Sequence, residues 1–135
     1  MREMTWAGPE PTPSLGSPPF TCLRSGTGRV ARVTLAGELD IAAVSQLDEA
    51  LHRAQADAPL VVLDLRALEF IDASAATLIL AADRRIGRAG GRLVVVRGGA
   101  TIHALFALIG LDQKLEFMHR PFAAITEPVA FTQGG

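Results

Sequence analysis

Three observations predict an α/β domain built on a mixed, mostly parallel sheet, with the helices packed mainly on one face. Short apolar runs rich in β-branched residues, "LVVLDL" (60–65) and "RLVVVRG" (92–98), alternate with segments in which apolar residues recur every three or four positions. Glycine or proline marks the seams, at Gly26 and Gly28, Pro59, Gly90-Gly91 and Gly110. The chain of 135 residues is 49% hydrophobic and 20% charged, enough to bury a single core without disulfides or metal. Strands joined through helices lie parallel with right-handed crossovers, so the order β-β-α-β-α-β-α-β gives a parallel sheet carrying one antiparallel edge strand.

Each element follows from its own pattern. Residues 20–39 read as two strands around a glycine turn, because Ala31, Val33 and Leu35 alternate with Arg32 and Thr34. Over 41–56 the period changes: Ile41, Val44, Leu47, Leu51 and Ala54 are spaced for one face of a helix. Pro59 closes the link to the strand at 60–65, which is apolar on both faces as a covered parallel strand should be. The second helix spans 73–88, with Leu78, Ile79, Ala82 and Ile86 inward and Asp83, Arg84 and Arg88 outward; Gly90-Gly91 turns the chain back. After the strand at 92–98, Thr101 is placed to cap a third helix whose apolar face is Ile102, Leu105, Phe106 and Ile109. Gly110 stops that helix, Leu111 packs back, and "KLEFM" (114–118) supplies the last strand. "PFAAIT" (121–126) reads as a closing helical turn or two.

Residues 1–18 are read as a disordered leader. Pro9, Pro11, Pro13 and Pro18 stand among glycine and serine there, with Pro19 just beyond, and each X-Pro step disfavours helix. Cys22 is the only cysteine, which excludes a disulfide framework and fits a reducing cytoplasm. No segment has the apolar core of a signal peptide or the length of a membrane span, so no membrane contact is expected. A net charge of −1 without any Lys/Arg run gives no basic face for phosphates, so no direct nucleic-acid binding is expected either.

Motifs with chemical meaning are few. "GTGRVA" (26–31) satisfies the letters of a dinucleotide fingerprint, but a strand follows it where a helix would have to begin; it is a hairpin turn. Ser74 in "DASAA" lacks the two glycines of a nucleophile elbow, and His52, His103 and His119 show neither a base positioned for it nor zinc spacing. No enzyme activity, cofactor or metal is expected. Two acids remain. "LAGELD" ends a strand at Asp40, "EFIDAS" ends one at Asp72, and in each case a helix follows. Either acid suits a helix N-cap, worth about 1 kcal/mol. Parallel topology also brings both to the carboxyl edge of the sheet, where sites form, with Ser74 beside them.

In this order and spacing the segments "LAGELDIAAVSQLDEAL", "LVVLDLRALEFIDASAATLIL" and "GRLVVVRGGATIHALFALIGLD" resemble the STAS domain of bacterial anti-sigma factor antagonists. The likeness covers residues 20 to 118 and rests on Gly-Glu-Leu-Asp, Asp-x-Ser and Ile-Gly-Leu-Asp in register. It implies a STAS-like domain over 19–127, with 1–18 as leader and 128–135 as tail. It further implies a phospho-switch. The serine of Asp-x-Ser, here Ser74, is phosphorylated by a partner that is both an anti-sigma factor and an ATP-dependent serine kinase. The unphosphorylated form binds that partner, and a phosphatase reverses the mark. The expected partner-facing residues are Asp40, Asp72, Ser74, Ala75, Thr77 and Leu78. One departure is visible: the family usually has Gly-Leu after the serine, where this chain has Ala75-Ala76. The other role the fold implies is a STAS subunit of a transport or stress-signalling complex that binds its partner without phosphorylation.

Overall fold

β1 (Thr21–Thr27) and β2 (Val30–Leu39) form the expected antiparallel hairpin, closed by Gly28 and Arg29, in a computed structural model that describes residues 20–118. The glycines of "GTGRVA" therefore serve the turn. Gly26 has φ +109°, and a Cβ built on it would lie 2.2 Å from the Val30 carbonyl oxygen, so no side chain fits. Gly28 has φ +62° but open space around it. Gly26→Ala is expected to cost at least about 2 kcal/mol in chemical denaturation, against about 1 kcal/mol for Gly28→Ala.

A 3-10 turn (Ile41–Ala43) leads into α1 (Val44–Asp57), followed by β3 (Leu60–Ile71), α2 (Ala73–Arg88), β4 (Arg92–Val96) and α3 (Ala100–Leu108). A second 3-10 turn (Leu111–Gln113) precedes the two-residue β5 (Phe117–Met118). The sheet order is β1-β2-β3-β4-β5, antiparallel only between β1 and β2. Sequential parallel strands with crossovers of one hand place every crossover helix on the same side. The packing agrees: Val33, Leu35, Val61, Leu63, Leu93 and Val95 share one buried cluster with Leu47 and Leu51 of α1, Ile79 and Ile86 of α2, and Phe106 of α3. The alternate residues Val30, Val62 and Val96 form a smaller cluster on the other face.

Several local expectations are corrected. Ile41 lies in the 3-10 turn, where three residues make a turn, and so leaves the inward stripe of α1; it is 74% exposed. β3 runs unbroken from Leu60 to Ile71, so the apolar run at 60–65 and the strand end at "EFIDAS" belong to one strand longer than the run itself. Its second half pairs with β2 through two register shifts, which break the period of two that would have announced it. Thr101 does not cap α3; Gly99 occupies that position without a side-chain bond, and Ala100 already begins the helix. The cap falls two residues earlier, directly after Gly98, which passes close to β3; a Cβ there would meet the Leu65 carbonyl oxygen at 2.8 Å. Ile109 is 38% exposed because α3 has ended at Leu108 and Gly110 (φ +80°) swings the chain away. Leu111 packs back as expected. The last strand is shorter than 114–118, since Lys114 still closes the second 3-10 turn and Leu115 is buried. The leader, the tail, His119 and "PFAAIT" lie outside the described residues.

Candidate functional site

Parallel pairing of β2 with β3 ends at Leu39 opposite Ile71, both buried, and the next residue on each strand is an acid. The two chain ends are tied together: the Asp72 N–H donates to the Leu39 carbonyl at 3.2 Å. Asp40 and Asp72 thus emerge side by side at the carboxyl edge. Both are helix caps, as their residue type predicts. Asp40 is extended (φ −106°, ψ −174°) and accepts from the Ala42 N–H at 3.1 Å, starting the 3-10 turn. Asp72 is extended (φ −101°, ψ 171°) and accepts from the Ala75 N–H at 3.0 Å, starting α2.

The Asp72 cap does a second thing. Its Oδ1, the atom that receives the Ala75 N–H, also accepts the Ser74 hydroxyl at 2.7 Å. The Ser74 hydroxyl and the Ala75 N–H, with the amides of Ser74 and Ile41 contributing less, hold the Asp72 carboxyl below its ordinary range against a modest opposing effect of burial. Ser74 itself is exposed on the first turn of α2. Thr77, one turn further on, is exposed too, but its hydroxyl donates back to the Ala73 carbonyl at 2.9 Å, which ties it to the helix.

Of the six expected surface residues, the structure brings Asp40, Asp72, Ser74 and Thr77 out at one edge and turns the other two inward. Ala75 is fully buried, its methyl in the core and only its N–H serving the cap. Leu78 is partly buried against the core. A chain without glycine at position 75 therefore keeps the approach to Ser74 open, because the added methyl points away from it. Ala75→Gly is expected to cost about 1 kcal/mol through helix propensity and to leave chemistry at Ser74 unchanged, checked by denaturation and by any assay of Ser74 modification.

The apolar side chains exposed near this edge are Ile41 (74%) and Phe70 (46%), neither of which the sequence pattern picked out. Ile41 follows Asp40 directly. Phe70 pairs with Glu38 one step before the ends of the strands, and alternation from the buried Leu39 and Ile71 turns it to the face opposite the helices. Its register shift hid it; an unmatched Phe between Glu69 and Ile71 was the available signal. Glu38, Asp40, Glu69 and Asp72 make the rim at the ends of β2 and β3 acidic.

The histidines within the described part do other work. His103 stands edge-on to Phe117 at 4.8 Å, and His52 Nδ1 lies 2.9 Å from the Asp48 carbonyl. The Ser74 hydroxyl is donated to a carboxylate, so the arrangement of a hydrolytic serine is not built here. Among the described residues no three His, Cys, Asp or Glu side chains gather to hold a metal, and no helix is long and apolar enough to cross a membrane.

Comparison with known proteins gives a consistent picture. The family model described as "Mlab, STAS domain" matches residues 22–118. The anti-sigma-F factor antagonist RsfB of Mycobacterium tuberculosis is 31% identical over 107 residues, covering 78% of this chain and 84% of that one. An anti-sigma F factor antagonist of Paenibacillus polymyxa is 32% identical over 99 residues, 70% of this chain and 83% of the other. Among solved structures, an anti-sigma factor antagonist from Mycobacterium paratuberculosis superposes with a TM-score of 0.71 at 27% identity, over 80% of this chain and 92% of that one.

Proposed function

Because the chain belongs to the STAS-domain family, we propose that it is an anti-sigma factor antagonist that works by partner switching in the cytoplasm, controlled by phosphorylation of Ser74. In this reading the unmodified protein binds an anti-sigma factor that is also a serine kinase, a phosphate on Ser74 ends that binding, and a phosphatase restores it. The observation that carries the reading is the exposed Ser74 hydroxyl on the first turn of α2, bonded to Asp72 at the edge where Asp40 also emerges.

The charges explain why such a mark would act on docking and not on folding. A phosphate adds about −1.5 to −2 charges. Its repulsion with Asp72 in water is of the order of 1 kcal/mol, and the helix N-terminus offsets about 0.3–1 kcal/mol of that. Neither is large against a domain stability of about 5–15 kcal/mol. When a partner covers the rim and removes the water, the same repulsion grows several-fold. Exposed Ile41 and Phe70 supply apolar area for the contact, and an acidic rim suits a partner with basic residues at its docking face.

The test is to incubate the protein with candidate serine-kinase anti-sigma factors and magnesium ATP and to map phosphate by mass spectrometry. A single phosphate on Ser74 is expected. A phosphate confined to Thr77 would move the switch to another residue, against the tied hydroxyl seen there. A second reading rests on the fold alone: a STAS subunit of a transport or stress-signalling complex, bound to its partner without phosphorylation. That reading expects stable partner binding and no phosphate in the same experiment.

A further inference from the structure

Resting on the phospho-switch reading, we propose that Asp72 is the residue that positions the Ser74 hydroxyl for phosphoryl transfer and accepts its proton. A serine hydroxyl on an exposed helix turn ordinarily samples several rotamers and points its hydrogen at whatever water is near. Here the hydrogen is committed. Ser74 Oγ donates to Asp72 Oδ1 at 2.7 Å, which leaves the oxygen lone pairs free for an incoming phosphorus. The acceptor is itself fixed, because the same Oδ1 receives the Ala75 N–H at 3.0 Å as the cap of α2. One carboxylate oxygen thus links helix capping to nucleophile orientation.

The partner presents a nucleoside triphosphate with its magnesium. Ser74 Oγ forms a bond to the γ-phosphorus, the bond from that phosphorus to the bridging oxygen breaks, and the nucleoside diphosphate leaves. The Ser74 proton passes to Asp72 Oδ1 and from there to water. A carboxylate held below its ordinary pKa is a weak base. That suffices, because in a loose phosphoryl-transfer transition state the nucleophile keeps its proton until late, so that orientation counts for more than basicity. The arrangement also separates Ser74 from Thr77. Both hydroxyls are exposed on the start of α2, but the Thr77 hydrogen is donated to a backbone carbonyl, which cannot take it up at neutral pH. Once the phosphate is on, Oγ carries no hydrogen. Asp72 then loses that donor and faces a dianion while retaining the Ala75 cap, so α2 stays formed.

The experiment uses the full chain with the kinase that the phosphate-mapping measurement identifies, and magnesium ATP. Asp72→Asn keeps the size and an oxygen able to cap Ala75, but its neutral amide oxygen holds the Ser74 hydrogen more weakly than a carboxylate does and cannot take up the proton, so both orientation and proton acceptance suffer. Its kcat for Ser74 phosphorylation should fall about 10- to 100-fold with KM for the protein unchanged. Asp72→Ser, a good cap that is too short to hold the hydroxyl in the same way, should lose a similar factor, and it covers the case in which the Asn variant folds poorly. Phosphorylation of Asp72→Asn at the wild-type rate overturns the inference and leaves the switch standing. A raised KM with unchanged kcat also overturns it, since Asp72 would then be a contact residue only. Failure of wild-type Ser74 to become phosphorylated overturns the switch and the inference together.

Discussion

Ser74→Asp is expected to weaken binding of the anti-sigma partner about a hundredfold, and Ser74→Ala to leave it within about a factor of two. The aspartate places one negative charge beside Asp72 on the rim that the partner must cover. A like charge left in a desolvated contact costs several kcal/mol in general, and about 2–3 kcal/mol is two orders of magnitude in affinity. The alanine removes only a hydroxyl whose hydrogen bond is internal, to Asp72. Both variants should keep the far-ultraviolet circular dichroism of the parent, because an acid in the first turn of α2 favours the helix dipole and the cap on Ala75 is untouched. Titration calorimetry with the unphosphorylated partner separates the two. Equal binding by both variants would remove charge at Ser74 as the control.

The second large effect is expected in the core. Phe106→Ala should lower stability by about 3–5 kcal/mol and the melting midpoint by about 15–30 °C. Phe106 is fully buried, and its ring meets Phe117 edge-to-face at 5.3 Å. Among the described residues β5 is held to β4 by two residue pairs, Val95 with Phe117 and Val96 with Met118. Truncating the ring therefore opens a cavity under α3 and weakens the last strand at the same time. Below its lowered midpoint the variant should still present Ser74, because α2 is packed through Ala75, Ala76, Ile79, Ala82 and Ile86. A thermal melt that moves by less than about 5 °C would show that the α3–β5 contact carries little of the stability.

The layout of the fold was legible because its signals are local. Leu47, Leu51 and Ala54 repeat at helical spacing, Ala31, Val33 and Leu35 alternate, and Gly90 and Gly110 both adopt the left-handed backbone their positions as helix stops predict. What escaped depended on strand pairing and capping, which residue spacing does not show. The far half of β3 is a strand only because β2 lies beside it with two register shifts, and its own pattern of Arg66, Ala67, Leu68 and Glu69 has no period of two. Ile41 fits the stripe of α1 by spacing and leaves it because Asp40 caps a 3-10 turn first.

At the site, the residue types were legible and the partition among them was not. Aspartates at strand-to-helix junctions predict caps, and both are caps. That Asp72 would receive the Ser74 hydroxyl on the oxygen that caps the helix is a matter of rotamer and angle, which no spacing encodes. The burial of Ala75 shows the same limit. Its place next to Ser74 suggests surface, while its angle on the helix puts it against the sheet.

The most direct measurement is the affinity of the kinase partner for this protein in three states: unmodified, stoichiometrically phosphorylated at Ser74, and restored by a serine phosphatase. Tight binding, a loss of about a hundredfold or more, and full recovery are expected in turn, with the same folded spectrum throughout. Equal affinity in all three states would contradict the switch, and would assign the acidic edge at Asp40 and Asp72 to a contact that phosphate does not govern.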